Sequence, residues 1–119
     1  MGLIKAWRRR DIQFAITIVE ADDDNYVWVA TDVIRVKVGR KGAAPLLDLS
    51  SKAASDNGST VSQSNPVTMQ LAAADITLLP RGFYEFEISI VDDSDQDRIK
   101  HVETHVLHVI ETMSGAVSI

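Results

Sequence analysis

His101, Glu103 and His105 recur at every second position near the end of this 119-residue chain, and His108 follows. In an extended segment, residues two apart share a face and lie roughly 6.5–7 Å apart at Cα. Two imidazoles, or an imidazole and a carboxylate, can share a metal ion from such a face, which makes these three the first candidate ligand set. Read without a metal, they are a polar strand face or a subunit contact. A helical reading would align His101, His105 and His108, but the β-branched residues around them argue for a strand.

Just upstream, Asp93-Ser94-Asp95-Gln96-Asp97 matches the D-x-D-x-D opening of a calcium loop, where alternate carboxylates converge on a hard cation. The match ends there. Arg98 stands where the sharp-turn glycine belongs, and Thr104 stands where the bidentate glutamate belongs. The plain alternative is a solvated acidic turn. The expected metal and cofactor set is none, with Asp93, Asp95, Asp97 and the His101, Glu103, His105 face as the candidates. Catalysis finds no Gly-x-Ser-x-Gly, phosphate loop or His-Glu-x-x-His to stand on. Acids such as Asp22 and Asp23 lie in a turn, where water keeps their ionisation ordinary.

At the other end of the chain, Trp7-Arg8-Arg9-Arg10 combines an aromatic anchor with three guanidinium groups. Both residue types are favoured at protein interfaces, because they join contact area to directional donors. Residues 1–10 therefore read as a basic arm that docks on an acidic partner surface or a neighbouring subunit. The net charge of −5 argues against nucleic acid as the main partner, since phosphate binding needs a basic surface. The chain has no cysteine, which excludes disulfides and thiolate chemistry and suits a reducing cytoplasm. No apolar run reaches the roughly 18 residues of a membrane span, and the opening lacks a signal-peptide pattern.

The elements that must carry these residues are strands. Ile12, Phe14, Ile16 and Ile18 alternate with Gln13, Ala15 and Thr17. Ile34, Val36 and Val38 alternate with Arg35 and Lys37. Tyr84, Phe86, Ile88 and Ile90 alternate with Glu85, Glu87 and Ser89. Period two is the signature of half-buried strands. Shorter strands are expected at 26–29, 46–49 and 67–71, and 50–64 is a long loop or a weak hairpin around Asn57-Gly58. Ala72–Leu79 is the one helix, about two turns, stopped by Pro80-Arg81-Gly82. Ile99–Ile110 is the last strand. Its phase is ambiguous, because Val102, Val106 and Ile110 oppose Leu107 and Val109, and a bulge or burial on both faces is needed to explain it. Residues 113–119 read as a flexible tail or a docking arm. The whole predicts one domain over 1–119. Its fold class is all-β, an antiparallel Ig-like β-sandwich with one short helix before the penultimate strand. Gly82-x-Tyr84-x-Phe86 fits a tyrosine corner, and Tyr84 as plain core is the alternative.

Two stretches resemble a known family. Arg10-Asp11-x-Gln13-Phe14-x-Ile16-x-Ile18 resembles the opening of small phage virion Ig-like domains, which include the N-terminal domain of phage baseplate upper proteins. Val67–Ile88 resembles that family's strand, short helix, L-P-x-G-x-Y turn (Leu79-Pro80-Arg81-Gly82-Phe83-Tyr84) and strand. Arg10 stands where the family carries Gly. The resemblance spans roughly Arg10 to Thr112 and implies a non-enzymatic structural component of a virion, assembled in the host cytoplasm. That component is a capsid decoration (cement) protein, or alternatively a tail, baseplate or fibre adaptor. Its partners are then other virion proteins, major capsid or tail subunits, in a homo-oligomer or symmetric array, with no nucleic acid and no membrane. Trp7, Arg8, Arg9 and Arg10 are the expected contact residues. A carbohydrate- or ligand-binding sandwich, with Tyr26 and Trp28 lining an exposed face, is the other expectation.

Overall fold

The computed structural model describes residues 2–19, 26–52, 55–64 and 66–111. Eight strands and one helix follow in the order β1 (Leu3–Trp7), β2 (Ile12–Ile16), β3 (Asp32–Gly39), β4 (Leu47–Ser50), β5 (Thr60–Ser62), β6 (Val67–Leu71), α1 (Ala73–Thr77), β7 (Gly82–Asp92) and β8 (Asp95–Ile110). They build two sheets, one of five strands in the order β1-β8-β7-β3-β4 and one of three in the order β2-β6-β5. This is an all-β Ig-like sandwich, with the short helix before the penultimate strand as the pattern predicts. Three non-consecutive pairings, β1 with β8, β2 with β6 and β3 with β7, carry the crossovers that make it a sandwich and not a meander.

Alternating apolar residues from both sheets meet between them. Ile34, Val36 and Val38 of β3 and Phe86, Ile88 and Ile90 of β7 are fully buried, facing Val67, Met69 and Leu71 of β6. Phe14 of β2 meets Phe86 edge-on, with ring centroids 5.8 Å apart. The helix is too short to persist in water and is held by tertiary contacts. Ile76 and Leu79 are buried in the core, and the Asp11 carboxylate accepts a bond from the Ala73 N–H at 2.6 Å.

A buried carboxylate fixes the loop before β5. Asp75 is almost wholly enclosed and accepts hydrogen bonds from Ser55 Oγ (2.6 Å), Asn57 Nδ2 (2.9 Å) and Ser59 Oγ. Ser59 Oγ in turn accepts from the Ala72 N–H at 2.8 Å. Gly58 turns the chain there with φ of 95°, a conformation that suits glycine. Burial pushes the Asp75 carboxyl up, but the three donors outweigh it and hold it below its ordinary value.

Three expectations need correction. The arm over residues 1–10 is for half its length a strand: Leu3–Trp7 pairs with Val106–Ile110, and the pairing is parallel in a sheet otherwise antiparallel. The weak alternation of Leu3-Ile4-Lys5-Ala6-Trp7 conceals it, because its partner lies some hundred residues away. Tyr26–Val29 is not a strand, although its residues favour one. The Asp32 carboxylate accepts from the Val29 N–H (2.9 Å) and the Tyr26 hydroxyl (3.1 Å), holding the segment as an irregular approach to β3. Thr60–Ser62, inside the long polar loop, is a short strand on β6. The tail expected over 113–119 and the Asp22-Asp23 turn lie outside the described residues.

Candidate functional site

The His101, Glu103, His105 face is the inner side of β8. Those residues pair with Ile90, Ile88 and Phe86, whose side chains are core. Glu103 lies between the two imidazoles, with Oε2 3.1 Å from His101 Nε2 and Oε1 2.8 Å from His105 Nε2. The Gly2 N–H donates to His105 Nδ1 at 2.9 Å. That bond makes Nδ1 the acceptor and leaves Nε2–H to donate to Glu103, which assigns the neutral tautomer of His105. Burial pushes the Glu103 carboxyl up, but the bonds from His105 and His101 outweigh it and hold it below its ordinary value. Glu103 is already engaged by both imidazoles, and His105 by the Gly2 N–H as well. Among the described residues no group of three ligating side chains is arranged to hold a metal ion.

The acidic turn does not converge either. The Asp93 carboxylate pairs with Lys52 at 2.5 Å. Asp95 accepts from the Asp97 N–H at 3.2 Å, and Asp92 accepts from the Ser94 N–H and hydroxyl. These are side chains tying their own hairpin. Nearby, the enclosed Asp32 carboxylate takes Lys100 Nζ at 2.6 Å. Burial raises its affinity for a proton, and the bonds from Lys100, Val29 and Tyr26 more than reverse that.

Of the expected contact residues, Arg8 is committed internally. Its guanidinium pairs with Glu111 at 2.6 Å and donates to the Thr77 carbonyl at 2.8 Å, riveting the ends of β1 and β8 to the helix. Arg9 occupies the left-handed region (φ 70°) in the turn closed by the Arg10 N–H on the Trp7 carbonyl (3.2 Å). Arg9 and Arg10 are exposed. Tyr26 and Trp28, expected as an exposed binding pair, instead pack on each other edge-on at 4.9 Å and are half-buried against the core.

Trp7 belongs to a larger surface that the sequence reading did not assemble. Paired residues share a face, so Trp7 lies beside Ile110, Lys5 beside His108, and Leu3 beside Val106 on the outer side of the five-stranded sheet. Across β8, Phe83 pairs with His108, and the two rings stack with centroids 4.2 Å apart at 11°. Leu3 (55%), Trp7 (38%), Phe83 (61%) and Val102 (53%) all remain open to solvent. The end of β8 is therefore apolar on both faces: Leu107 and Val109 enter the core, while Val106 and Ile110, with Val102 further back, line the outside. The ambiguous phase of residues 99–110 was the signal for this surface. The β3 and β4 side of the same face is charged, with Arg35 on Asp48 at 2.8 Å.

The corner that sets this face is built by Tyr84. Its hydroxyl donates to the Pro80 carbonyl and accepts from Arg40 at 3.3 Å, and the Arg40 guanidinium lies 4.8 Å from the centre of its ring. This is the tyrosine-corner arrangement of Ig-like sandwiches, and it starts β7 where Phe83 points outward.

No family model matches the chain, and no curated protein is similar to it. Solved structures similar to it include that of the ZIG-8–RIG-5 IG1–IG1 heterodimer. It is 17% identical, with 92% of this chain and 82% of that chain covered and a TM-score of 0.47. Another is that of parallel homodimers of the extracellular domains of the voltage-gated sodium channel beta4 subunit. There the identity is 15%, the coverage 93% and 92%, and the TM-score 0.42.

Proposed function

We propose that this chain is a non-enzymatic protein-binding module, a structural part of a phage particle, that docks through the outer face of its five-stranded sheet. One observation carries the binding part. Leu3, Trp7, Phe83, Val102, Val106 and Ile110 gather on the outer face of the five-stranded sheet, although only its inner face meets the core. An antiparallel sheet with one solvated face alternates apolar and polar residues. A second apolar face with an exposed tryptophan and phenylalanine suits a surface that a partner covers. Arg10 and Arg81, exposed close in sequence to Trp7 and Phe83, supply donors for an acidic rim.

The virion part rests on the sequence resemblance in Arg10–Ile18 and Val67–Ile88. A capsid decoration role is the preferred form of it, and a tail or baseplate adaptor is the alternative. Repetition over a symmetric particle converts modest single contacts into strong attachment.

Sedimentation of particles assembled with and without the Trp7→Asp/Phe83→Asp double variant tests both parts. The wild-type chain is expected at a fixed ratio to the major shell or tail protein. The double variant, with an unchanged circular dichroism spectrum, is expected to stay in the supernatant. A wild-type chain that never enters particles ends the virion part. Undiminished incorporation of the variant ends the assignment of the surface.

A further inference from the structure

The outer face of the five-stranded sheet carries both signs of charge, and the strand register fixes where each lies. Lys5 of β1 stands level with His108 of β8 and Phe83 of β7, and Leu3 stands level with Val106 and Glu85. The next level holds Thr104 and Glu87. Arg81 precedes Gly82, which pairs with Val109, so Arg81 stands level with Ile110 and Trp7. The apolar strip along β8 therefore has Trp7 and Lys5 on one side and Arg81, Phe83 and Glu85 on the other. Lys5, Arg81 and Glu85 are exposed, and none of them closes an ion pair among the described residues. A wholly acidic surface would meet Glu85 and Glu87 at like charge, and a wholly basic one would meet Lys5 and Arg81. The face needs an acid opposite Lys5, a base opposite Glu85 and a guanidinium opposite Trp7. Turned over on itself about an axis along β8, it supplies all three, because β1 of one copy then lies over β7 of the other.

We infer that the partner on this face is a second copy of the chain, packed face to face about a two-fold axis that runs along β8. The inference rests on the docking reading above and names its occupant. Rotation about that axis keeps each strand level in place, so Trp7 meets Arg81 of the second copy, and a guanidinium over an indole ring is a favourable cation–π contact. Lys5 lies over Phe83 of the second copy. Its stem covers the ring, and its ammonium reaches Glu85 one level on, roughly 7 Å along the strand. Two-fold symmetry makes each of these contacts twice. Val102, Val106 and Ile110 meet their own copies, as the inner rows of two aligned sheets do. The acidic rim is then the second copy's own Glu85.

The test is sedimentation equilibrium of the purified full chain at up to about 1 mM, a concentration that populates even a small specific interface. The wild-type chain is expected to form a dimer. Lys5→Glu and Glu85→Lys, each with an unchanged circular dichroism spectrum, are expected to weaken it at least about tenfold, since each puts like charges at two symmetric contacts. Mixed in equal amounts, the two variants are expected to form a heterodimer of near wild-type affinity. There the two reversed residues meet each other, and so do the two unreversed ones. A wild-type chain that stays monomeric overturns the inference. So does a dimer indifferent to both reversals, or a mixture that stays monomeric. The docking reading is judged separately, by the particles: a monomer that particles still carry down keeps that reading and ends this one.

Discussion

Arg8 closes an ion pair with Glu111 at 2.6 Å, joining the end of the first strand to the end of the last. The same guanidinium reaches the Thr77 carbonyl. One arginine of the basic run is therefore part of the fold, while its neighbours Arg9 and Arg10 stand at the surface.

Arg8→Ala is expected to lower stability by about 1 kcal/mol, since the pair is partly open to water and screened. Arg10→Ala is expected to stay within about 0.5 kcal/mol of the parent. Urea unfolding of the two variants separates the roles. Equal effects at both positions would contradict the division.

Tyr84→Phe removes a hydroxyl that donates to Pro80 and accepts from Arg40. A loss of about 1–2 kcal/mol is expected, because the Pro80 carbonyl is left short of a donor. Thermal unfolding reads it directly, and a variant melting with the parent would show that the corner is held by packing alone.

Asp75→Ala strands the buried Ser59 hydroxyl and takes the acceptor from the half-buried Ser55 and the exposed Asn57. A loss of about 2–4 kcal/mol is expected from such unsatisfied groups, with the effect confined to the loop before β5 and the helix when read by hydrogen exchange.

Acid is expected to weaken the fold in a defined window. Asp75 and Asp32 lie below their ordinary value of 3.8, and Glu103 below its ordinary 4.5. Carboxyls depressed in the folded state stabilise it fully above the unfolded values and lose that contribution as pH falls through the folded ones. Stability measured from pH 6 downward should therefore begin to drop near 4.5 and continue below 3.8. Asp75→Asn should flatten the lower part of that curve; an unchanged slope would mean that Asp75 ionises alike in both states.

Much of the architecture is legible in the residues, and the exceptions have physical causes. Ile12–Ile18, Ile34–Val38 and Tyr84–Ile90 alternate cleanly, because each turns its apolar side to the core. Leu3–Trp7 escapes, since its partner is remote and its own pattern is weak. Tyr26–Val29 misleads, since Asp32 offers its backbone another partner. The site residues divide the same way. His101, Glu103 and His105 are correctly grouped on one face, but sequence does not show that this face turns inward and that Glu103 bridges the two imidazoles. Trp7 is singled out by type, whereas Phe83, His108 and Val102 join it only through the register of β1, β8 and β7.

The central claim is that the outer face around Phe83 and Trp7 is covered by another protein. A photo-crosslinking amino acid placed at Phe83 or at Trp7, in cells that express the full chain, tests it most directly. Gln70, exposed on the opposite sheet, serves as the control position. The account predicts a discrete protein adduct from Phe83 and Trp7 and none from Gln70. No adduct from either, or equal adducts from all three, would contradict it.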